Sequence, residues 1–330
     1  MANLKYSEKS IKRLISLSSM PKRAIAKVLC DEFPKEFKSI ETARSMIRYY
    51  TGNSGGENYE HAKNTNKLIH GAFGNLDYEE AEIPQEPYMI PTGIKTVGMF
   101  GDMHGLWRDQ KTIEIALADF YQSDVDAIIM GGDIIDCYQE SDFSKDPRKS
   151  SMQREREFII EFLKQMQNTF SNTQIYYKLG NHEARHERYM LRNAPAIYDE
   201  NIMGIPALLE FKGSRIHFIP ESQTIKLGKL AIIHGDEIRA GGQINTSRNK
   251  MLRAFTNIAY FHHHSVSETY ARDMWGKYIG SWGIGCTCGL KPKYAPNNQW
   301  MNGYAKVKIV DGEGNFDLDN VKVINGRASH

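Results

Sequence analysis

Residues 97–109 read VGMFGDMHGLWRD, an apolar run that breaks at Gly101 and is followed by Asp102 and His104. A buried strand ending in Asp-x-His at a glycine-flanked turn sends a carboxylate and an imidazole into the same space, where the pair can grip a divalent cation. A strand followed by Gly-Asp is common in turns, so the pair decides little alone. Its recurrence is what decides. AIIMGGDIID (127–136) offers Asp133 and Asp136, and IYYKLGNHE (175–183) offers Asn181 and His182. LAIIHGD (230–236) adds His234, and FHHH (261–264) adds three more imidazoles.

The segments between these strands fix the order of elements. A helix is expected over about 109–122, with Ile113, Ala116, Leu117 and Phe120 at helical spacing. The strand VDAIIMGGD is almost wholly apolar, as it must be when both faces of a sheet are covered. A polar segment, QESDFSKDPRKSS (139–151), reads as mobile. It precedes a second helix with Ile159, Phe162, Leu163 and Met166 turned inward. The resulting β-α-β-α-β order places the polar residues at strand C-terminal ends, where α/β sheets present their sites. Downstream the pattern turns to β: SRIHFIP (214–220), then TIKLGKLAIIHGD (224–236) with a turn at Leu227-Gly228, and a closing hairpin around Asp311-Gly312.

Upstream lies a different kind of sequence. Residues 1–50 hold eleven Lys/Arg against five Asp/Glu, a balance of +6 in a chain whose net charge is +2. Three short helices are expected: one capped by Ser7 with Ile11, Leu14 and Ile15 on one face, one opened by Pro21, and one from Ser39 to Gly52. A basic trihelical unit with Arg44 and Arg48 on its last helix suits a helix-turn-helix that touches DNA. A docking module with a solvated basic face fits the same residues. Residues 53–93 read as a linker rich in Gly, Asn, Pro and acidic residues, with its Tyr88-Met89-Ile90 end packing on the domain that follows.

At 330 residues, 41% apolar and 25% charged, the chain has the composition of an ordinary globular protein. The four cysteines (Cys30, Cys137, Cys286, Cys288) form no CxxC pair and read as reduced thiols. No apolar run approaches the ~20 residues that span a bilayer. The expectation is a cytoplasmic protein without a membrane partner.

Five elements in order (GDMHG, GGDIID, GNHE, HGD and FHHH) resemble the calcineurin-like metallophosphoesterase family. The resemblance runs from about Ile94 to the C-terminus and implies an α/β fold, a two-sheet αββα sandwich, behind the small all-α unit. It also implies a centre of two divalent ions, with Mn²⁺ favoured over Fe, Zn or Mg. By position, Asp102, His104 and His264 would bind the first ion, Asn181, His234 and His262 the second, and Asp133 would bridge them. Two such ions ~3.5–4 Å apart can hold a hydroxide and clamp phosphoryl oxygens. His182 would then be free to give a proton to the leaving oxygen, with Asp136 orienting its ring.

Two departures qualify the resemblance. Phe261 stands where the family's last motif usually has glycine, and of the three adjacent histidines His262 and His264 fit the spacing, leaving His263 a bystander. Cys137 follows Asp136, where the family's protein phosphatases carry a phosphate-gripping arginine. Arg185 is the favoured substrate contact, with His186, Arg188, Arg248, Lys250 and Arg253 left open as contacts or solvated faces. The expected reaction is phosphodiester hydrolysis on nucleic acid, DNA favoured, by analogy also with bacteriophage phosphoesterases that carry such helical heads, which would act in the host cytoplasm. A phosphomonoesterase and a catalytically silent binding protein are the alternatives. The intact ligand set argues against the second.

Overall fold

A computed structural model describes residues 6–52, 86–146, 148–238 and 245–330. Most of the expected linker, residues 53–85, lies outside them. Contacts divide the chain into two compact units, Met1–Glu82 and Ile83–His330.

In the first unit, α1 (Glu8–Ser16), α2 (Lys22–Glu32) and α3 (Ile40–Thr51) pack around Ile11, Leu14, Ile25, Leu29, Met46, Ile47 and Tyr50. Sequence and caps agree closely here. Ser7 Oγ accepts from Ser10 N at 3.3 Å, and Ser39 and Thr42 form a reciprocal capping box on α3. The connection from α2 to α3 runs over residues 33–39 and buries Phe37, so it is longer than the three- to four-residue turn of a helix-turn-helix.

The second unit is a sandwich of two sheets. β1 (Tyr88–Met89), β2 (Thr96–Phe100), β3 (Ala127–Met130), β4 (Gln174–Lys178) and β5 (Ile216–Ile219) come first, followed by β6 (Ile225–Leu227), β7 (Leu230–Ile233) and β8 (Asn257–Tyr260). β9 (Ser267–Arg272), β10 (Tyr278–Gly283), β11 (Asn302–Ile309), β12 (Phe316–Ile324) and β13 (Arg327–Ser329) complete the set. The seven-stranded sheet has the order β13-β12-β11-β2-β3-β4-β5, and β2 to β5 in it are parallel. The six-stranded sheet has the order β1-β6-β7-β8-β10-β9, with β7 parallel to β8.

Alternation along the strands sorts the side chains into layers. Val97, Met99, Ile129, Tyr176, Ile219, Ile232, Ala259 and Val307 face between the sheets, joined by Ile90 and Ile94. Phe100, Ile128, Met130, Ile175 and Tyr177 point the other way, against α4 (Gln110–Gln122) and α5 (Met152–Thr169). Asp109 caps α4 by accepting from Thr112 N at 2.8 Å. Behind the six-stranded sheet, Ile233, Ile258 and Tyr260 meet Ala254. That residue ends the helix Thr246–Ala254, which follows the helices Glu183–Asn193, Glu200–Met203 and Ile205–Leu208.

Gln139, Glu140, Asp142 and Ser150 of the polar segment are tied down, contrary to its mobile appearance in sequence. Gln139 Nε2 donates to Ser150 O at 2.8 Å, His186 Nδ1 meets Glu140 at 2.8 Å, and Arg192 pairs with Asp142. β9, β10 and β13 were not expected either. β9 alternates on a half-exposed face without a run of β-branched residues, and β10 (YIGSWG) carries two glycines.

Candidate metal centre

Parallel pairing of β2, β3 and β4 puts their C-terminal ends side by side, and the loops that leave them continue the pairing. Asp102 N donates to Gly132 O at 3.0 Å and His104 N to Asp133 O at 2.9 Å. From the other sheet, β7 delivers His234, and the chain leaving β8 delivers His262 and His264. Asp102, His104, Asp133, His262 and His264 all sit at positive φ, between 48° and 71°. Five non-glycine residues in that region are strain the packed strands must support, a pattern found where side-chain aim matters more than backbone comfort.

The residues marked in the sequence fall into two touching groups. In one, His104 Nε2 lies 3.2 Å from His264 Nε2, which lies 3.4 Å from Asp102 Oδ1. In the other, His234 Nε2 lies 3.2 Å from Asp133 Oδ2 and 3.1 Å from Asn181 Oδ1, and His262 joins Asp133 and His234. Asp133 is within reach of His104 as well, so it stands at the junction of both groups. His263 turns away against the Tyr260 ring at 5.9 Å.

Do these residues suit divalent cations? Ligands ~2.0–2.2 Å from one ion stand ~3.0–3.5 Å apart along the edges of its polyhedron, and the 3.1–3.4 Å separations lie in that range. Asp102 Oδ1 is buried without a hydrogen-bond donor, a state a buried carboxylate oxygen rarely keeps unless something positive completes it. The far nitrogens are occupied elsewhere: His234 Nδ1 meets Gly131 O at 2.9 Å, His104 Nδ1 meets Asp136 Oδ1 at 2.9 Å, and His264 Nδ1 meets the Cys288 thiol at 3.7 Å. Each imidazole therefore turns Nε2 inward, as a ligand does. The set fits.

Electrostatics agree. Burial opposes the charge on His104, but Asp136, Asp133 and Asp102 outweigh it and raise its pKa to about 9. Burial likewise opposes and Asp133 overrides at His234, whose pKa is driven well up. Asp133 is held well below the carboxylate range by His182 and His234 despite its burial. The cluster is a buried negative site that calls for positive charge, which protons or cations can supply.

At the edge of the centre, His182 Nδ1 lies 2.7 Å from Asp136 Oδ1, and Arg185 approaches His182 Nε2 to 2.7 Å while donating to Asp136 O at 3.1 Å. Burial lowers the His182 pKa, with Asp133 pulling against it. Cys137 is fully buried, so the position after Asp136 presents no cation. Lys250 is buried too, its ammonium on Gly235 O and Ile238 O, and His186 bonds Glu140 and Met203 O. Arg188 donates to Asn181 O at 2.8 Å. In the other unit, Arg44 pairs with Glu41 at 2.6 Å and Arg48 approaches it at 3.7 Å, Arg44 half-buried and Arg48 exposed.

Several supports were not marked in the sequence. Glu183, the last residue of GNHE, accepts from Asp133 N (2.9 Å), Ile134 N (2.8 Å), Ile135 N (3.3 Å), Gly180 N (2.9 Å) and Tyr177 Oη (2.9 Å). It ties the Asp133 loop to the Asn181 loop. Glu237 accepts from His234 N and Gly235 N and is paired with the buried Lys178 at 3.0 Å. Phe261 occupies space that two glycines vacate: a Cβ on Gly131 or Gly101 would meet its ring at 2.0 or 2.8 Å. A Cβ on Gly180 would stand 2.3 Å from Asp133 Oδ1, so that approach also requires glycine.

Comparison with protein families matches residues 95–280 to the family described as calcineurin-like phosphoesterase. No curated protein matches the chain. Among solved structures, vacuolar protein sorting 29 from Cryptosporidium parvum is 14% identical, with 72% of this chain and 95% of that one covered at a TM-score of 0.38. The phosphoesterase YfcE from E. coli is 15% identical, with 68% and 98% covered at 0.31. A dimetal phosphatase from Danio rerio is 10% identical, with 65% and 92% covered at 0.29.

Proposed function

The chain belongs to the calcineurin-like phosphoesterase family, and from that premise we propose that it hydrolyses phosphodiester bonds of nucleic acid with two divalent cations. The observation that carries the reading is the convergence of seven inward-facing donors, Asp102, His104, Asp133, Asn181, His234, His262 and His264, on two adjoining points. Asp102, His104 and His264 would hold one cation and Asn181, His234 and His262 the other, with Asp133, at the junction of the two groups, available to both. A mixed imidazole and carboxylate set favours Mn²⁺, Fe or Zn over Mg²⁺, which prefers oxygen alone. When bound, the cations supply Lewis-acid stabilisation of phosphoryl oxygens and make water a better nucleophile.

The remaining work falls to side chains. His182 gives a proton from Nε2 to the leaving oxygen, and Asp136, accepting from Nδ1–H, holds the ring and favours the imidazolium that must form. Arg185 donates to Nε2 in the free chain, so that nitrogen takes up the proton it later gives only once the guanidinium has moved onto a phosphoryl oxygen. The buried thiol of Cys137 supports a diester over a monoester. A monoester carries ≈ −1.5 to −2 charge and gains most from an extra cation, whereas a diester carries only one negative charge. The +6 balance of residues 1–50, with half-buried Arg44 and exposed Arg48 on α3, supports DNA as the polymer.

The test is activity on bis-p-nitrophenyl phosphate against p-nitrophenyl phosphate, with Mn²⁺ and with chelator. Metal-dependent preference for the diester is expected. Preference for the monoester would return the chain to the phosphomonoesterases, and inertness on both would make it a binding protein.

A further inference from the structure

Residues 289–301, GLKPKYAPNNQWM, form a loop fixed at both ends to the candidate centre. Gly289 N donates to Trp107 O at 2.9 Å, three residues past His104, and Met301 N donates to His264 O at 2.7 Å. Inside the loop, Asn298 Nδ2 donates to Leu290 O at 2.8 Å and Ala295 O at 2.7 Å, and Trp300 N donates to Asn298 Oδ1 at 2.9 Å. The backbone is thus set before any ligand arrives.

On this frame stand two aromatic rings. Trp300 lies against the His264 imidazole, centroids 4.1 Å apart, and Tyr294 lies 6.2 Å from Trp300. Tyr294 is 81% exposed. Its hydroxyl nevertheless feels the centre: partial desolvation and the Asp136 carboxylate push it up to about 12, and Arg185 opposes them. Exposed Lys291 and Lys293 precede it. A solvent-facing tyrosine on a stapled loop, just after two lysines and beside the Trp300 ring that covers His264, has no packing role that would explain its place. Aromatic faces beside cationic side chains are how proteins hold unstacked bases.

Resting on the phosphodiesterase reading, we propose that Tyr294 and Trp300 form a stacking wall that takes the base of the nucleotide bearing the scissile phosphate. The enzyme then prefers a nucleotide diester to a diester without a base.

Two substrates with one leaving group isolate the effect: thymidine 5′-(p-nitrophenyl) phosphate and methyl p-nitrophenyl phosphate, each given to the full-length protein with Mn²⁺. The kcat/KM ratio should favour the nucleotide by about 5- to 150-fold, the equivalent of ~1–3 kcal/mol of base stacking at 1.36 kcal/mol per tenfold. Tyr294→Ala should bring the ratio close to one, chiefly through KM, and Tyr294→Phe should keep it. A ratio near one in the native chain, or one indifferent to Tyr294→Ala, would overturn the wall and leave the phosphodiesterase reading standing. Turnover of neither diester, with p-nitrophenyl phosphate cleaved, would overturn that reading and the wall with it.

Discussion

Glu183→Gln isolates the strut beneath the centre. The carboxylate is fully buried and meets only donors: Oε2 takes Asp133 N and Gly180 N, and Oε1 takes Ile134 N, Ile135 N and the Tyr177 hydroxyl. An amide of the same shape keeps one acceptor oxygen and replaces the other with a donor. Whichever way it turns, two backbone N–H groups then face an N–H. Each stranded buried group costs ~1–3 kcal/mol, so the loss should be ~2–6 kcal/mol, a large part of the ~5–15 kcal/mol that holds a typical domain. Urea unfolding followed by tryptophan fluorescence gives the number. All four tryptophans (Trp107, Trp275, Trp282, Trp300) lie beyond Ile83, so the signal reports the second unit without interference from the first. Chelator in both samples removes any contribution from cations. A midpoint within ~1 kcal/mol of the native chain, at equal m, would refute the assignment of Glu183 as an ionised acceptor of five bonds.

Other consequences are as direct. His182→Ala should lose ~10²–10⁴ in turnover on a poor leaving group and much less on p-nitrophenolate, while keeping its metal; equal losses on the two would remove the proton-donor role. Lys178→Met leaves the Glu237 carboxylate without its cation and should cost ~3–5 kcal/mol, partly recovered in the double variant with Glu237→Gln; an unchanged urea midpoint would count against the pair. Because surrounding carboxylates raise His104 to about 9 and drive His234 upward as well, and a ligand must be neutral, Mn²⁺ loading at pH 7 should release protons. Affinity should then rise with pH towards about 9, the His104 value. Calorimetry in buffers of different ionisation enthalpy reads that release, and zero release would mean that these imidazoles are already neutral in the metal-free chain. Arg44→Ala with Arg48→Ala should weaken DNA binding and flatten its dependence on salt; unchanged titrations at two salt concentrations would make the first unit a protein-docking module.

Most of the residues that converge at the candidate centre were legible because each belongs to a short motif at the end of an apolar strand, and parallel pairing brings such ends together whatever the intervening sequence. What could not be read depends on contacts between motifs. Glu183 stands beside a marked histidine, yet its partners are amides of the Asp133 loop, 50 residues away. Lys178 looks like a strand residue, and its role appears only when Glu237 arrives from the other sheet. Phe261 looked like a departure until its ring was seen over Gly101 and Gly131. The β-α-β-α-β order of the first half followed from apolar runs, while the αββα layers came from the family resemblance. β9 and β10 followed from neither, because their stability comes from pairing with each other and with β8 rather than from their own composition.

The central claim is that one residue, Asp133, is shared by two cations. Elemental analysis of manganese in the reconstituted native protein and in Asp133→Asn tests it most directly. Two ions per chain are expected in the first, and the loss of both in the second, since the amide removes the shared charge that holds them together. Full occupancy in Asp133→Asn, or the loss of one ion with the other undisturbed, would contradict it.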